Sequence, residues 1–318
     1  MSKRFLLNCF LVVLIALVWW SVGIKRSGRV LFLGSNYTKD ELELYDLPAV
    51  PMPMAGAATA SAILSEKLHA QGAIIIDRAS KKVLFQKNSG QLFYPASTTK
   101  ILTALVAREL YDLDEKITLT AQDLAYDNVV GWQVGDQISV RDALKSLLIV
   151  SANEMGNTLA NHAPGGYETF VQAMNEKVTN LRLTGSHFIN PQGYDAQRQQ
   201  TTPFDLAVAA LELLRDPVLA EIVATAQTDI VTAGGKMYHL RNTNTLLSRD
   251  DLGFRVKGIK TGTTDLASEA LVSLVEKDGH ELVMVVLLTK NRYNDTIELA
   301  NFAWNNYIWQ QATLTNLL

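Results

Sequence analysis

A serine and a lysine three residues apart, Ser97 and Lys100, are the first side chains in the sequence whose types and spacing fit a reaction. They follow Pro95, which suits a first helical turn because its missing N–H is not needed there. Positions i and i+3 are neighbours on a helix, so the Lys100 amine can reach the Ser97 hydroxyl. Lysine can activate a serine only where burial or a nearby cation lowers its pKa. The pair predicts Ser97 as nucleophile and Lys100 as proton acceptor, although about one Ser-x-x-Lys is expected by chance.

A hydroxyl and a carboxamide, Ser151 and Asn153, follow an apolar helical run and can both face a cleft. Ser151 is suited to relay a proton between Lys100 and a leaving amine, and Asn153 to hold a substrate amide. The alternative is purely structural, because Ser151 and Glu154 have the spacing of a capping box at a helix start.

A third cluster, Lys260, Thr261, Gly262 and Thr263, ends a β-type run. Lysine and a threonine hydroxyl on an edge strand can bind a carboxylate, and Gly262 lets a substrate backbone approach closely. The N–H groups of Thr263 and Ser97 could together stabilise an oxyanion. The alternative is an edge strand whose positive charge only discourages aggregation.

The order Ser-x-x-Lys, Ser-x-Asn, Lys-Thr-Gly is far more specific than any of its parts. With these motifs the chain resembles the penicillin-recognising serine peptidases, and within them the low-molecular-mass penicillin-binding proteins that are D-alanyl-D-alanine carboxypeptidases. The resemblance runs from about Gly72 to about Ala312. One departure is Ala267-Ser268, where the family usually has Ala-Gly. Further similar segments are His187–Gly193, Thr201–Asp205 and Asn242–Leu247.

The resemblance implies a two-step acyl transfer without metal or cofactor. Ser97 would attack the penultimate D-alanine carbonyl of a peptidoglycan stem peptide, and water would release the acyl-enzyme. Lys260 and Thr261 would bind the terminal carboxylate, and β-lactams would acylate Ser97 as covalent inhibitors. A D,D-endopeptidase would use the same residues. A serine β-lactamase shares the motifs, although no Glu-x-x-Leu-Asn segment follows Asn153, and a catalytically silent wall-binding protein is a remote alternative.

The predicted elements fit an α+β fold, an antiparallel sheet flanked by helices with a mainly helical insert. Hairpins are predicted over 72–86 and over 269–288, the second around Asp278-Gly279, a pair typical of type I′ turns. The sheet begun by the first hairpin would be completed by the second. His187 is assigned a structural role, and no His-Glu-x-x-His spacing indicates zinc. Helices are predicted over 98–111, 140–150, 154–162, 167–180, 203–214 and 291–311.

The ends and the composition indicate the compartment. Phe5 to Ile24 carries no charge and has basic residues on both sides, which predicts a membrane anchor or signal segment over 1–27. A linker is predicted over 28–60, a catalytic domain outside the cytoplasm over 61–312, and a tail over 313–318. With 29 basic and 32 acidic residues the chain shows no sign of a nucleic-acid partner. The single cysteine, Cys9, excludes a disulfide framework.

Overall fold

A computed structural model describes residues 49–125 and 127–311 of the chain. Its strands are β1 Val50–Pro53, β2 Gly72–Asp77, β3 Val83–Lys87, β4 Lys116–Thr118, β5 Gln137–Ser139, β6 Gln227–Val231, β7 Met237–Arg241, β8 Arg255–Thr264, β9 Ser268–Lys277, β10 His280–Thr289 and β11 Tyr307–Gln310. Its α-helices are α1 Ala57–Lys67, α2 Lys100–Leu110, α3 Val140–Ile149, α4 Asn153–Asn161, α5 Gly166–Asn180, α6 Pro203–Leu213, α7 Pro217–Ala224 and α8 Arg292–Asn306.

The main sheet has five antiparallel strands in the order β3-β2-β10-β9-β8. Both predicted hairpins are confirmed, and Asp278 and Gly279 have the positive φ angles, 53° and 80°, that a type I′ turn requires. Strand β10 pairs with β2, so a strand from the end of the chain completes the sheet begun near its start. Strand β8, which carries Lys260 to Thr263, lies at the edge.

The sheet separates two apolar cores, because successive side chains of a strand point to opposite faces. In β10, Val283, Val285 and Leu287 belong to the core on the side of the helical insert. The alternate residues Leu282, Met284 and Val286 belong to the second core, which includes residues of α1 and α8. This explains why the sequence of β10 is almost continuously apolar rather than alternating.

The helical insert consists mainly of α2 to α7, between the first hairpin of the sheet and β6. The five helices predicted there are confirmed as α2 to α6, with ends that differ by no more than two residues. Local signals explain the good agreement. Thr202 caps α6 by accepting the N–H of Asp205, and Pro203 occupies its first turn. The predicted α+β class is therefore confirmed.

Two predictions at the ends of the domain are wrong. The helix predicted over 291–311 ends at Asn306, and Tyr307–Gln310 form a strand that pairs with Val50–Pro53. The linker predicted over 28–60 therefore fails from Val50 onward, since this segment contains β1 and the start of α1. The two missed strands have one cause, because a pairing between residues more than 250 positions apart leaves no local sequence pattern. The start of α1 was missed separately.

Four short strands were not predicted, β4 with β5 and β6 with β7, each too short to show a clear period. Within residues 49–125 and 127–311, no helix is long and apolar enough to cross a membrane. The predicted anchor over 1–27 and the tail over 313–318 lie outside the described residues.

Candidate active site

Ser97 lies in a 3-10 turn, Ala96–Thr99, directly before α2. Two glycines pack against the backbone of this turn. A Cβ atom on Gly193 would lie 1.9 Å from Ala96 O, and one on Gly262 would lie 3.2 Å from the backbone N of Ser97. Glycine is therefore required at 193, and Gly262 brings strand β8 close to the N–H of Ser97.

Lys100 is the most constrained side chain of the site. It is fully buried, and its Nζ donates to Ser97 Oγ at 2.8 Å, to Asn153 Oδ1 at 2.6 Å and to Gln192 O at 2.6 Å. Burial lowers its pKa to about 7, although the carboxylates of Glu154 and Asp127 act in the opposite direction. Near neutral pH a substantial fraction of Lys100 is unprotonated and can accept a proton from Ser97.

Asn153 links Lys100 to a carboxylate that the sequence analysis missed. Its Oδ1 accepts from Lys100, and its Nδ2 donates to Asp127 Oδ2 at 2.8 Å. The same oxygen accepts from Tyr194 Oη at 2.7 Å. These two hydrogen bonds hold the pKa of the Asp127 carboxyl below its usual range. Asp127 comes from a loop with no motif. Tyr194 directly follows the His187–Gly193 segment, but nothing in that segment assigns a role to the next residue.

Glu154, beside Asn153 in the first turn of α4, is a second carboxyl of the site, which the sequence analysis considered only as part of a capping box. It is fully buried, and its Oε1 accepts the N–H of Val130 at 3.1 Å. Its Oε2 has no hydrogen-bond partner among the described residues. Burial raises the pKa of this carboxyl. The capping box predicted as an alternative is absent, because the N-cap of α4 is Ala152 and no side chain caps the helix.

Ser151 is half-buried just before α4 and has a positive φ of 64°. Its hydroxyl makes no hydrogen bond within residues 49–125 and 127–311, whereas Asn153 two positions later bonds to Lys100. A left-handed conformation at a non-glycine residue is unfavourable and is typical of functional sites.

The end of strand β8 supplies the remaining predicted residues. Lys260 is buried, and its Nζ donates to Thr261 O at 2.9 Å. Burial holds its pKa well below the usual value, with smaller effects from the positive charges of Lys100 and Arg292. The Thr261 hydroxyl lies 2.6 Å from the hydroxyl of Thr243. No carboxylate neutralises Lys260 directly in the described structure, which suits a site for an anionic ligand.

Arg292, at the start of α8, holds the end of β8 in place through hydrogen bonds. It donates to Gly262 O at 2.8 Å and to Thr263 Oγ1 at 2.6 Å, and its Nε donates to Glu269 at 3.1 Å. Ser268 adopts a φ of 53°, a region that glycine favours, and its hydroxyl donates to Thr289 O at 2.8 Å. This bond shows how a serine is accommodated where the family usually has glycine.

The turn that contains Gln192 forms the opposite wall of the site. Asn190 Oδ1 accepts the N–H groups of Gly193 and Tyr194 at 2.8 and 3.0 Å, which shapes the turn. Asp195 then accepts from the Thr264 hydroxyl at 2.7 Å and so joins the turn to β8. The ring of His187 contacts the carbonyl of Arg198 at 3.1 Å and makes no bond to the nucleophile or its base.

These contacts group Ser97, Lys100 and Asn153 with the end of β8, residues 260–263. No hydrogen bond ties Ser151 to any of them within the described residues. The arrangement combines a nucleophile, a buried base of lowered pKa and a basic strand edge, which is what acyl transfer requires. No group of His, Cys, Asp and Glu residues that could hold a metal ion occurs among the described residues.

Comparison with known proteins identifies a matching family and related sequences. A family model described as D-alanyl-D-alanine carboxypeptidase matches residues 57–291. The D-alanyl-D-alanine carboxypeptidase DacF of Bacillus subtilis is 30% identical over 256 residues, which cover 76% of this chain and 64% of that protein. The D-alanyl-D-alanine endopeptidase of Escherichia coli is 28% identical, with 78% of this chain and 80% of that protein covered.

Solved structures show the same fold. The Streptomyces K15 DD-transpeptidase superposes with a TM-score of 0.70 and 26% identity, covering 75% of this chain and 98% of that one. A D-alanyl-D-alanine carboxypeptidase from Mycobacterium tuberculosis superposes with a TM-score of 0.68 and 28% identity, covering 76% of this chain and 95% of that one.

Proposed function

Because the chain belongs to the D-alanyl-D-alanine carboxypeptidase family, we propose that it is a serine peptidase that removes the terminal D-alanine from peptidoglycan stem peptides. One observation carries the proposal: the Nζ of a buried lysine with a pKa of about 7 lies 2.8 Å from the hydroxyl of Ser97. An ordinary lysine would be protonated at neutral pH and could not accept the serine proton.

In the first step the Ser97 proton passes to Lys100 Nζ while Oγ attacks the carbonyl between the two D-alanines. In this proposal the N–H groups of Ser97 and Thr263 stabilise the oxyanion. The support is that a Cβ atom on Gly262, next to Thr263, would lie 3.2 Å from the backbone N of Ser97. When the tetrahedral intermediate collapses, the C–N bond breaks and the departing amine takes a proton from Lys100. Ser151 is the proposed relay, and its hydroxyl must form a hydrogen bond to Lys100 for this transfer because it has none in the described structure. Lys100 is then neutral again and can activate the water that hydrolyses the acyl-enzyme.

Lys260 and Thr261 bind the terminal carboxylate in this proposal. The Lys260 amine donates to Thr261 O, so the Thr261 hydroxyl is the direct donor to the carboxylate, and Lys260 contributes a buried charge when it is protonated. A carboxylate that enters here compensates the unfavourable burial of the lysine and favours its protonated form. Substrate binding and the charge of Lys260 are therefore coupled.

Asn153 has two tasks in this mechanism. Both ends of its carboxamide are already bonded, one to Lys100 and one to Asp127, so it first of all positions the base. To hold a substrate amide as well, its Nδ2 can keep the bond to Asp127 and donate its second hydrogen to the substrate carbonyl.

Endopeptidase activity is the second candidate. The match to this chain covers 80% of the length of the Escherichia coli D-alanyl-D-alanine endopeptidase, against 64% of the length of the Bacillus subtilis carboxypeptidase DacF. The two reactions differ only in the amine that leaves, which in the endopeptidase belongs to a second stem peptide. β-Lactams are expected to acylate Ser97 in either case.

We further propose that residues 1–27 attach the chain to the membrane as an anchor or direct it there as a signal, and that the catalytic domain lies outside the cytoplasm. The support is the uncharged run from Phe5 to Ile24 and the location of the peptidoglycan substrate. The folded domain would extend from about Val50 to about Gln311.

Mass spectrometry of purified muropeptides after incubation with the protein tests the activity. Loss of one D-alanine from monomeric muropeptides is expected, while splitting of cross-linked dimers without that loss would establish the endopeptidase instead. The full-length Ser97→Ala variant should lose covalent labelling by a fluorescent penicillin, whereas Ser248→Ala, at an exposed serine, should label normally. Continued labelling of Ser97→Ala would refute the assignment of the nucleophile, and rapid penicillin turnover by the unmodified protein would indicate a β-lactamase.

A further inference from the structure

A largely apolar pocket of about 310 Å³, the α6 pocket, lies between helix α6 and the turn that joins β2 to β3. Phe204, Val208 and Leu211 form one wall, because positions i, i+4 and i+7 share one face of a helix. Ile76, at the end of β2, and Leu181, directly after α5, complete the apolar lining. A volume of this size is at the lower end of the range for small-molecule sites.

Helix α6 presents more apolar surface than the core of the protein uses. The residues of its inner face are buried in the core on the side of the helical insert, and they are Leu206, Ala207, Ala209, Ala210 and Leu213. On the other face Phe204 is 44% exposed, and Val208 and Leu211 are half-buried. An apolar row outside the core, beside a pocket, is typical of a surface that contacts a ligand or a partner.

The charged residues of the α6 pocket lie near the C-terminal end of the helix. They are Lys81, Glu212 and Arg215. Glu212 is shared between two cations, since it accepts from Arg215 at 3.2 Å and lies 4.0 Å from Lys177. The Lys81 amine donates to the backbone carbonyl of Arg78 and forms no ion pair with any described residue. This end of the pocket therefore carries uncompensated positive charge.

The turn that carries Lys81 is fixed against α6. Arg78 donates to Leu214 O, the carbonyl that follows the helix, at 2.8 Å. Partial burial lowers the pKa of Lys81, the positive charges of Arg78 and Arg215 act in the same direction, and Asp77 opposes them. An anion beside Lys81 would relieve this repulsion and favour the protonated amine. The site thus joins an apolar trough to a fixed cationic end.

We propose that the α6 pocket binds one molecule of a single-chain fatty carboxylate, with its chain along the α6 row and its carboxylate beside Lys81 and Arg215. Charge complementarity selects the anionic head group, and the apolar lining selects the chain. A single chain fits this site better than a flat membrane surface does, because Ile76 is buried and Val208 and Leu211 are half-buried. The ligand must therefore enter the concavity. This site does not rest on the proposed peptidase activity.

The test uses photolabelling, which reports where a ligand binds. The full chain, held in phosphatidylcholine nanodiscs, is irradiated with a decanoate that carries a diazirine in its chain, and in parallel with the amine of the same chain. Trypsin should release residues 199–215 as one peptide, because no Lys or Arg lies between Arg198 and Arg215. We expect the label to concentrate in this peptide, to be displaced by excess decanoate, and to be at least roughly fivefold stronger for the carboxylate than for the amine.

Two variants separate the chain from the head group. Val208→Trp fills the pocket and should reduce labelling at least roughly tenfold, whereas Val231→Trp, at an exposed valine of β6, should not. Lys81→Met keeps the apolar stem and should lower the preference for the carboxylate below about twofold, because Glu212 already compensates Arg215. Lys82→Met is its matched control, since Lys82 is exposed next to Lys81, donates to Pro51 O and does not line the pocket.

Label spread over the chain without enrichment in 199–215, equal labelling by carboxylate and amine, or full labelling of Val208→Trp would overturn the proposal. So would suppression by phosphatidylglycerol in the nanodisc that equals the effect of free decanoate, because the face would then contact a bilayer. Penicillin labelling at Ser97 should be unchanged in Val208→Trp and shows that this variant is folded. If it is not folded, the Lys81→Met and Lys82→Met pair decides. Should penicillin fail to label even the unmodified protein, the proposed function fails and the pocket is still tested.

Discussion

Replacement of Lys100 by methionine separates the catalytic role of this side chain from its effect on stability. Methionine has a similar length and no charge. In the folded protein the pKa of Lys100 is about 7, against 10.5 for an unperturbed lysine. Between these two pH values the unfolded chain binds a proton at Lys100 that the folded protein does not. The free energy of unfolding of the unmodified protein must therefore rise with pH in this window, and the variant lacks this contribution.

The magnitude follows from the same two pKa values. Below pH 7, a lowering from 10.5 to about 7 destabilises the folded state by about 5 kcal/mol, an order-of-magnitude figure. Between pH 7.5 and 9.5 the unmodified protein should gain about 2–3 kcal/mol relative to Lys100→Met. The lost hydrogen bonds to Asn153 and Gln192 shift this difference by a constant without changing its slope. Lys100 is already mostly neutral in this range, so the charge acting on Lys260 changes little.

Denaturant unfolding at a series of pH values measures this difference. Lys290→Met, at an exposed lysine, controls for the loss of a lysine as such. A difference between the unmodified protein and Lys100→Met that stays flat from pH 7.5 to 9.5 would show that Lys100 is protonated in the folded state and would refute the mechanism. Penicillin acylation of the unmodified protein should rise with pH around a midpoint of about 7. In Lys100→Met it should fall by roughly 10²–10⁴-fold.

Two further substitutions test the missed residues of the site. Asp127→Asn removes a negative charge that raises the pKa of Lys100, so the midpoint of the acylation profile should move below 7. The maximal rate should fall roughly tenfold because Asn153 loses a charged partner; an unchanged midpoint would contradict the electrostatic coupling. Gly193→Ala places a Cβ atom 1.9 Å from Ala96 O. It should lower the free energy of unfolding by about 2–4 kcal/mol and should also slow acylation. Gly135→Ala is the control, because the φ of Gly135 is 92° against 93° for Gly193, while a Cβ atom on Gly135 would have no neighbour within 4 Å. Equal losses of stability and acylation in the two variants would show that backbone strain alone causes the effect.

Much of the fold could be predicted because its signals are local. Helices α2 to α6 have apolar periodicity, α3 and α6 begin at side-chain caps, and the hairpin around Asp278-Gly279 follows from a turn that only a few residues can form. Pairing of β1 with β11 could not be predicted in this way. Tyr307 donates to Leu84 O and Trp309 Nε1 to Asp77, contacts that override the helical pattern of the preceding residues.

For the candidate site, the sequence by itself determined which reactive groups are present, their order along the chain and the i, i+3 proximity of Ser97 and Lys100. These features follow from helical geometry and from the chemistry of each motif, both of which depend only on residues close together in the sequence. Only the tertiary structure decided that Lys100 is fully buried, which lowers its pKa, and that its amine is bonded to Asn153 and Gln192. It also decided that Asp127 and Tyr194 join the network from separate loops. Desolvation and charge coupling depend on every atom packed around a group, and that environment is assembled from distant parts of the chain.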